Sequence, residues 1–315
     1  MKRVAYMFPG QGSQGVGMAK DFYEEYEGVR RLFEKANNLL NKDITSLIFE
    51  GPGETLTETE NTQPALLLVS TAVHQLLEKE GVTPVAAIGH SLGEYSALTA
   101  AGSLSIEEAL PLVATRGKLM EEAFPKGQGT MAAVLGLSAE EIEAGLNEVK
   151  EETVDMANLN CPGQVVISGS KEGVEQATPI LKEKGAKRIL PLNVSGPFHS
   201  RLMKSANEDF SEYLHQTNIK AAQIPVYANV SAQPVETSEE IKDLLVKQLY
   251  SPVRFEESIR NMMNENIDAF VEVGNGKVLS GLVRKINRRM KTFAIQDIPS
   301  MEKFISWYHE EGESC

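Results

Sequence analysis

The chain has 315 residues, a formal net charge of −13 at pH 7 and 42% hydrophobic residues, enough apolar material for a sizeable core. The acidic balance argues against a nucleic-acid binder, because such proteins carry a basic face. With only Cys161 and Cys315, we expect neither a disulfide framework nor a cysteine-based metal site. The longest apolar stretch, PALLLVSTAV, is shorter than the roughly 20 residues of a membrane span. We therefore expect a cytoplasmic protein without membrane or nucleic-acid partners.

The N-terminal stretch contains a literal dinucleotide-binding pattern. Gly10, Gly12 and Gly15 spell G-x-G-x-x-G between a predicted strand, Val4 to Phe8, and a predicted helix, Asp21 to Leu40. A dinucleotide site also needs an acidic residue about 20 positions on, at the end of a second strand. That region is here the long predicted helix, and a proline precedes the turn. We therefore expect no NAD site.

Strands and helices alternate along the chain. VAAIGH, IPVYANV and AFVEVG read as short strands separated by helical stretches, which predicts an α/β fold with a mostly parallel sheet. Residues 127–194 instead predict the order β-α-β-β-α-β of a ferredoxin-like unit. We therefore expect a large α/β domain, residues 1–126 and 195–315, with a small ferredoxin-like domain inserted at 127–194.

Ser91 is the candidate nucleophile. It lies in Gly89-His90-Ser91-Leu92-Gly93, a G-x-S-x-G sequence between a predicted strand and a predicted helix. This is the nucleophile elbow of the α/β-hydrolase fold, so we expect the large domain to have a hydrolase-like core. The Leu92 amide, at the helix N-terminus, is free to donate to an oxyanion. The alternative is a glycine-rich loop whose serine only caps the helix.

A serine nucleophile needs a base, and five histidines are available. His90 adjoins the serine and points elsewhere, while His74 and His309 are predicted at the surface. His215 lies late in a helix, where a cation is favourable. His199 lies in NVSGPFHS, a loop between a strand and a helix, where catalytic groups are common. We take His199 as the candidate base, the alternative being a turn histidine near a helix cap.

Arg116 interrupts an apolar helix face. A buried guanidinium must be paired, and no acidic residue stands three or four positions away on that face. Arg116 therefore meets a carboxylate from elsewhere in the fold or from a ligand, and both alternatives stay open. Pro111 lies inside the helix and is expected to kink it. The apolar face consists of Ile106, Ala109, Val113, Met120 and Ala123.

Five motifs follow one another over nearly the whole chain: FPGQGSQ, GHSLGEYSAL with Arg116 after it, ANLNCPGQVVISG, VSGPFHS and VEVGNGKVLSGL. Together they resemble the malonyl-CoA:acyl carrier protein transacylases of bacterial type II fatty-acid synthesis. Acyltransferase domains of polyketide synthases share the motifs, but a free-standing chain of this size favours the fatty-acid enzyme. Asn275 departs from the family, in which proline is expected between the two glycines.

The resemblance implies the chemistry of the site. Ser91 would carry a malonyl ester, His199 would be the general base, and Arg116 would bind the free malonyl carboxylate. Arginine suits this task because its planar fork matches a carboxylate. The family has no triad aspartate, and the main-chain carbonyl of Gln248 would orient the histidine instead. The predicted helix around Gln248 is stopped by Ser251-Pro252, which leaves its last carbonyls free.

The resemblance also implies the remaining site residues and the partners. Gln11 would line the oxyanion hole together with the Leu92 amide, and Asn160 is a further candidate for substrate binding. No cofactor or metal is expected, since the CoA thioester is a substrate. Acyl carrier protein is acidic, so a basic patch would dock it, although an ordinary solvated helix face is as plausible. The patch consists of Arg284, Lys285, Arg288, Arg289 and Lys291.

Two other functions are compatible with a G-x-S-x-G motif. A serine esterase or thioesterase of the α/β-hydrolase type places an acidic residue and then a late histidine after the serine. Here His199 is not late, because more than a hundred residues follow it, and the predicted small domain lies between Ser91 and His199 in the chain. A carrier-protein scaffold with an inert Ser91 is the non-enzymatic alternative.

Overall fold

The computed structural model describes residues 2–310, so Cys315 lies outside the described part. The strands are β1 Val4–Phe8, β2 Ala86–Gly89, β3 Gly129–Leu135, β4 Val154–Cys161, β5 Gln164–Ser170, β6 Arg188–Pro191, β7 Val226–Tyr227, β8 Pro234–Val235, β9 Ala269–Val273 and β10 Lys291–Ile295. The helices are α1 Lys20–Glu25, α2 Glu27–Leu40, α3 Ile44–Glu50, α4 Gly53–Thr57, α5 Thr59–Lys79, α6 Gly93–Ala100, α7 Ile106–Glu122, α8 Ala139–Leu146, α9 Lys171–Glu183, α10 Asn207–Gln216, α11 Ser238–Gln248, α12 Phe255–Met263, α13 Val278–Ile286 and α14 Ile298–His309.

The larger sheet has six strands in the order β10-β9-β1-β2-β7-β8. All neighbours are parallel except β7 and β8, so the predicted α/β fold with a mostly parallel sheet is confirmed. Every residue of the central strand β1 is buried, as expected of a parallel strand covered on both faces. Tyr6 and Phe8 enter one apolar core and Met7 the core on the opposite face, following the two-residue period of a strand.

The second sheet is antiparallel, with four strands in the order β4-β5-β3-β6. Its elements follow one another along the chain as β3-α8-β4-β5-α9-β6, and they bury an apolar core of their own. Strand β4 also contacts the rest of the chain. The Leu159 amide donates to the Val253 carbonyl at 2.9 Å, and the Val253 amide donates to the Ala157 carbonyl at 2.8 Å.

Helices α5 and α7 cross closely, and this crossing positions Arg116. A Cβ atom on Gly117 would lie 2.7 Å from the Thr59 carbonyl oxygen, so only glycine permits this approach. Ser105 caps α7 by accepting a hydrogen bond from the Glu108 amide. The helix continues through Pro111 to Glu122, so the apolar face that carries Arg116 is continuous.

Two predicted elements differ from those observed. The single helix predicted from Asp21 to Leu40 is divided at Tyr26, whose backbone is extended with φ −107° and ψ 114°. Gly28, a residue of low helix propensity, lies two positions after Tyr26 and was an available signal for this break. The strand predicted from IPVYANV is reduced to the two residues Val226–Tyr227. Within residues 2–310, no helix is both long and apolar enough to cross a membrane.

Candidate active site

Ser91 lies in a tight turn between β2 and α6. Its φ of 53° is in the left-handed region, which is strained for a residue other than glycine. A Cβ on Gly89 would lie 1.8 Å from the Gly93 carbonyl carbon, and one on Gly93 would lie 2.1 Å from the Phe8 oxygen. The Ser91 amide donates to Asn229 Oδ1 at 2.8 Å. The two motif glycines are therefore needed for close packing, and Asn229 holds the strained turn.

His199 faces Ser91 although the two are 108 residues apart. Ser91 Oγ lies 2.8 Å from His199 Nε2, and His199 Nδ1 lies 2.8 Å from the main-chain oxygen of Gln248. A carbonyl only accepts, so Nδ1 carries the proton and Nε2 is the acceptor for the serine hydroxyl. The structure therefore brings together the predicted nucleophile, base and orienting carbonyl.

His199 is buried and neutral. Burial, reinforced by the nearby Arg116 charge, lowers the pKa of His199 to about 3, against the opposing hydrogen bond to Gln248. Among residues 2–310, no carboxylate accepts a hydrogen bond from this ring; its partners are Ser91 and Gln248. The imidazole is therefore in its basic, uncharged form throughout the neutral pH range.

Arg116 is 1% exposed and is held by neutral groups. Nη1 donates to Gln63 Oε1 at 2.8 Å, while Nη2 donates to Gln248 Oε1 at 2.9 Å and to Ser91 Oγ at 3.3 Å. The Nε–H is buried and has no acceptor in the described chain. No ion pair within 4.0 Å forms between Arg116 and a carboxylate of residues 2–310. A direct structural ion pair, one of the two alternatives, is therefore absent.

The two candidate oxyanion donors flank the serine turn. The Leu92 amide precedes α6, and neither it nor the Gln11 amide has an acceptor within residues 2–310. The Gln11 side chain already has a partner, since its Nε2 donates to Thr59 Oγ1 at 3.3 Å. A Cβ on Gly10 would lie 2.3 Å from the His90 oxygen. This first glycine of the apparent dinucleotide pattern therefore allows the loop to pack against the serine turn.

Asn160 does not line the cavity at Ser91. Its Oδ1 lies 2.8 Å from Nε2 of His90, whereas Asn158 of the same strand lines the cavity. The register of β4 shifts between Met156 and Asn158 and again between Leu159 and Cys161. Simple alternation along the strand therefore does not predict which asparagine faces the site.

The cavity over Ser91 and His199 has a volume of about 370 Å³ and lies between the two sheets. The larger sheet and its helices contribute one side of the lining, and the second sheet and the loop before His199 contribute the other. The residues from the first side are Gln11, Gly12, Gln14, Thr57, His90 and Met120. The residues from the second side are Met131, Asn158, Leu192, Asn193, Val194 and Phe198. A larger cavity of about 750 Å³ lies between the β4–β5 turn and α12 and includes neither Ser91 nor His199. Its lining lacks the nucleophile, so it is not the reaction site.

Of the remaining histidines, His74 was expected at the surface and is instead half-buried. Its ring packs edge-on against Tyr6 at 6.0 Å, because α5 covers the sheet at this point. His309 is exposed, as expected, and His215 lies in the last turn of α10, as predicted, and is also exposed. Within the described residues, no group of three or more His, Cys, Asp or Glu side chains could hold a metal ion.

Three residues of the site were missed by the sequence analysis: Gln63, Glu94 and Asn229. Glu94 follows the G-x-S-x-G motif directly and is 3% exposed, so its position in the motif was an available signal. Gln63 and Asn229 lie in an apolar helix and in a loop after a short strand. No local pattern marks these two as partners of Arg116 and Ser91.

The basic patch is exposed but is not one helix face. Helix α13 ends at Ile286, so the patch continues through a turn into the start of β10. Lys285 Nζ donates to Gln164 Oε1 at 2.9 Å, and Lys291 Nζ lies 4.9 Å from the centroid of the Trp307 ring. Arg288 and Arg289 lie in the exposed turn.

Comparison with known proteins places these features in one family. The model of the acyl transferase domain matches residues 5–304. The malonyl CoA-acyl carrier protein transacylase of Bacillus subtilis is 52% identical over 317 residues and covers 100% of both chains. The enzyme of the same name from Staphylococcus aureus strain MRSA252 is 46% identical, covering 96% of this chain and 98% of its own.

Solved structures of malonyltransferases have the same fold as this chain. The crystal structure of an acyl carrier protein S-malonyltransferase from Vibrio cholerae has a TM-score of 0.94 and 42% identity, covering 96% of this chain and 100% of that one. A malonyl-transacylase in complex with a type II polyketide acyl-carrier protein has a TM-score of 0.95 and 40% identity, covering 97% and 99%. The chain therefore belongs to the acyl transferase domain family.

Proposed function

We propose that the chain transfers a malonyl group from malonyl-CoA to the phosphopantetheine thiol of acyl carrier protein, in fatty-acid synthesis, through a malonyl ester on Ser91. One observation carries the proposal: Ser91 Oγ lies within 2.8 Å of a neutral imidazole and within 3.3 Å of a buried guanidinium. The first group activates the hydroxyl, and the second suits an acyl group that ends in a carboxylate. The names of the relatives agree with this reaction.

In the first half-reaction, Ser91 Oγ attacks the thioester carbonyl carbon while His199 Nε2 takes the hydroxyl proton. The carbonyl oxygen becomes an oxyanion, which the main-chain amides of Gln11 and Leu92 stabilise. When the tetrahedral intermediate collapses, the C–S bond breaks and His199 returns its proton to the CoA sulfur. The Gln248 carbonyl accepts from Nδ1–H throughout and keeps Nε2 directed at Ser91.

In the second half-reaction, the carrier-protein thiol takes the place of CoA. His199 Nε2 removes its proton as the sulfur attacks the ester carbonyl carbon. The ester C–O bond then breaks, and the proton passes to Ser91 Oγ, which restores the free enzyme. Two substrates that react in turn at one serine give ping-pong kinetics.

Arg116 selects the acyl group in this proposal. Nε and Nη2 form one edge of the guanidinium, and Nη2 already reaches Ser91 Oγ. Because Nε has no acceptor in the described chain, a carboxylate at this edge gains two charge-assisted hydrogen bonds. An acetyl group brings no acceptor to this edge. Asn160 supports the site indirectly, through its contact with His90.

We further infer that residues 1–126 and 195–315 form a hydrolase-like catalytic domain and residues 127–194 a ferredoxin-like domain. The parallel strands around β2, which ends at the serine turn, support the first assignment. The strand order β4-β5-β3-β6 with two helices supports the second. The second sheet contributes Met131 and Asn158 to the cavity. We place the enzyme in the cytoplasm.

The acidic carrier protein docks, in this proposal, on the basic patch formed by Arg284, Lys285, Arg288, Arg289 and Lys291. The exposure of these side chains supports it. Because the chain has a net charge of −13, a local positive patch would favour the approach of an acidic partner. Exchanging Arg288 and Arg289 for glutamate is expected to raise the KM for carrier protein and to leave acylation by malonyl-CoA unchanged.

Incubation with acyl-labelled malonyl-CoA tests the function. A transferase forms a serine ester that carrier-protein thiol discharges as malonyl thioester. A serine esterase or thioesterase releases free malonate instead, and an inert scaffold retains no label. Carrier proteins of fatty-acid and polyketide synthesis, offered in competition, separate the proposed function from that of a polyketide-type acyltransferase.

A further inference from the structure

Glu94 is a buried carboxylate that the reaction described above does not use. It lies in the first turn of α6, three residues after Ser91, and is 3% exposed. Oε2 accepts hydrogen bonds from Gln248 Nε2 at 2.6 Å and from the Asn229 amide at 3.1 Å. No ion pair within 4.0 Å joins it to a lysine or arginine of residues 2–310. A buried charge in this position is costly unless it is compensated.

The side-chain amide of Gln248 connects Glu94 to Arg116. Its Nε2 donates to Glu94, and its Oε1 accepts from Arg116 Nη2 at 2.9 Å. A carboxylate can only accept and a guanidinium can only donate, so the two groups together determine which way the amide points. The carboxylate that Arg116 was expected to meet is therefore present, one amide group away. The main-chain oxygen of the same Gln248 orients His199.

We propose that Glu94 is a positioning residue for the acyl site: it orients Gln248, holds Arg116 against Ser91, and competes with the acyl carboxylate for the charge of Arg116. The proposal rests on the function proposed above. It also explains how the charge of Arg116 is compensated in a buried site without a direct ion pair. Because the contact runs through Gln248, Arg116 Nε keeps no acceptor among the described residues.

The ionisable groups around Glu94 are Arg116 from α7 and Tyr95 from its own helix. His90 lies in the serine turn, and His199 lies beyond Gln248. Burial raises the pKa of Tyr95 and lowers the pKa of both histidines, so these three groups stay uncharged near neutral pH. Arg116 is thus the nearby charge that affects the pKa of Glu94, and it lowers that pKa.

Burial raises the pKa of Glu94 to about 7, against the opposing hydrogen bonds of Asn229 and Gln248 and the charge of Arg116. A malonyl carboxylate arriving at Arg116 adds a like charge nearby, which favours the protonated form of Glu94. By linkage, malonyl binding takes up a proton and weakens as the pH rises through 7. An acetyl group adds no charge and has no such dependence.

The test measures kcat and KM for acylation of Ser91 by malonyl-CoA and acetyl-CoA between pH 6 and 9. In the wild-type enzyme, the KM for malonyl-CoA rises about tenfold across this range, the scale of a coupling of about 1.4 kcal/mol, while the KM for acetyl-CoA stays flat. Glu94→Gln keeps an acceptor oxygen for Gln248 but has no charge, so its KM for malonyl-CoA stays at the low-pH value. Glu239→Gln, an exposed change on the helix that carries Gln248, is the matched control and behaves as wild type.

Glu94→Ala separates orientation from charge. Without Glu94, Gln248 Nε2 loses its shortest hydrogen bond and keeps only longer ones, to the Ser91 carbonyl at 3.1 Å and to Asn229 Oδ1 at 3.3 Å. The amide is then less firmly oriented, so kcat/KM for malonyl-CoA falls severalfold below that of Glu94→Gln even at pH 6. Equal values for the two variants would overturn the positioning role. A KM that rises with pH in Glu94→Gln as in the wild type would overturn the competition. If malonyl-CoA does not acylate the wild type, both the proposed function and this inference are wrong. If the wild type is acylated and the Glu94 variants have the same kcat and KM as the wild type at every pH, only this inference is wrong.

Discussion

Replacing Arg116, which lies buried behind the cavity within 3.3 Å of Ser91 Oγ, is expected to change acyl selectivity. The carboxylate of malonyl gains charge-assisted hydrogen bonds at the Nε and Nη2 edge, and a hydrogen bond to a charged group contributes about 1.5–3 kcal/mol. At about 1.4 kcal/mol per factor of ten, Arg116→Ala should lower the malonyl-to-acetyl ratio of kcat/KM by roughly tenfold to a hundredfold. Arg116→Lys restores part of the ratio, because an ammonium group lacks the planar fork.

Arg116→Ala also has a cost for stability that must be separated from selectivity. It leaves the side-chain oxygens of Gln63 and Gln248 without their donor, at about 1–3 kcal/mol for each buried unsatisfied group. We therefore expect a lower Tm as well as lower activity.

The assay is the kcat/KM for malonyl-CoA and acetyl-CoA in the wild type, both Arg116 variants and Arg31→Ala. Arg31 lies exposed on α2 in an ion pair with Glu27, so its replacement controls for the loss of an arginine. A selectivity ratio that stays the same in Arg116→Ala, with the protein folded, would refute the reasoning and assign Arg116 to structure alone.

Three further predictions follow from the geometry. Gln11→Ala should slow acylation less than tenfold, because the variant keeps the main-chain amide; a loss of about 10²–10³, the size of one lost oxyanion donor, would show that the side chain is the donor. Acylation by acetyl-CoA should not fall between pH 8 and 5, because the base is active above its pKa and the pKa of His199 is lowered to about 3; an acid limb near pH 6.5 would contradict a buried neutral imidazole. Gly93→Ala should lower the Tm sharply, since its Cβ would lie 2.1 Å from the Phe8 oxygen, whereas Gly281→Ala, with open space around it, should raise stability slightly. Equal thermal shifts for the two glycines would show that the serine turn is not closely packed.

The sequence predicts the parts of the site that depend on local backbone. Ser91 and Leu92 belong to a strand-turn-helix motif in which glycine spacing sets the geometry, so their position between β2 and α6 could be predicted. His199, whose own φ is positive, follows Gly196 and Pro197 in a loop, and it was chosen among five histidines from that loop context. The alternation of strands and helices likewise predicts the parallel sheet.

The partners of Arg116 could not be predicted, because they come from separate helices. Gln63 lies on α5 and Gln248 on α11, and only tertiary packing brings their amides to α7. The burial of Arg116 predicts a carboxylate partner, but the sequence carries no sign that Glu94 reaches it through the Gln248 amide. The choice between Asn158 and Asn160 depends on two register shifts in β4.

The central claim is that Ser91 carries the acyl group. The most direct measurement is mass spectrometry of peptides from the protein after brief reaction with malonyl-CoA. We expect one malonyl adduct, on the peptide that contains Ser91. It is absent from Ser91→Ala and is lost when carrier-protein thiol is added. An adduct that persists in Ser91→Ala at another residue, or malonyl transfer without any adduct, would contradict it.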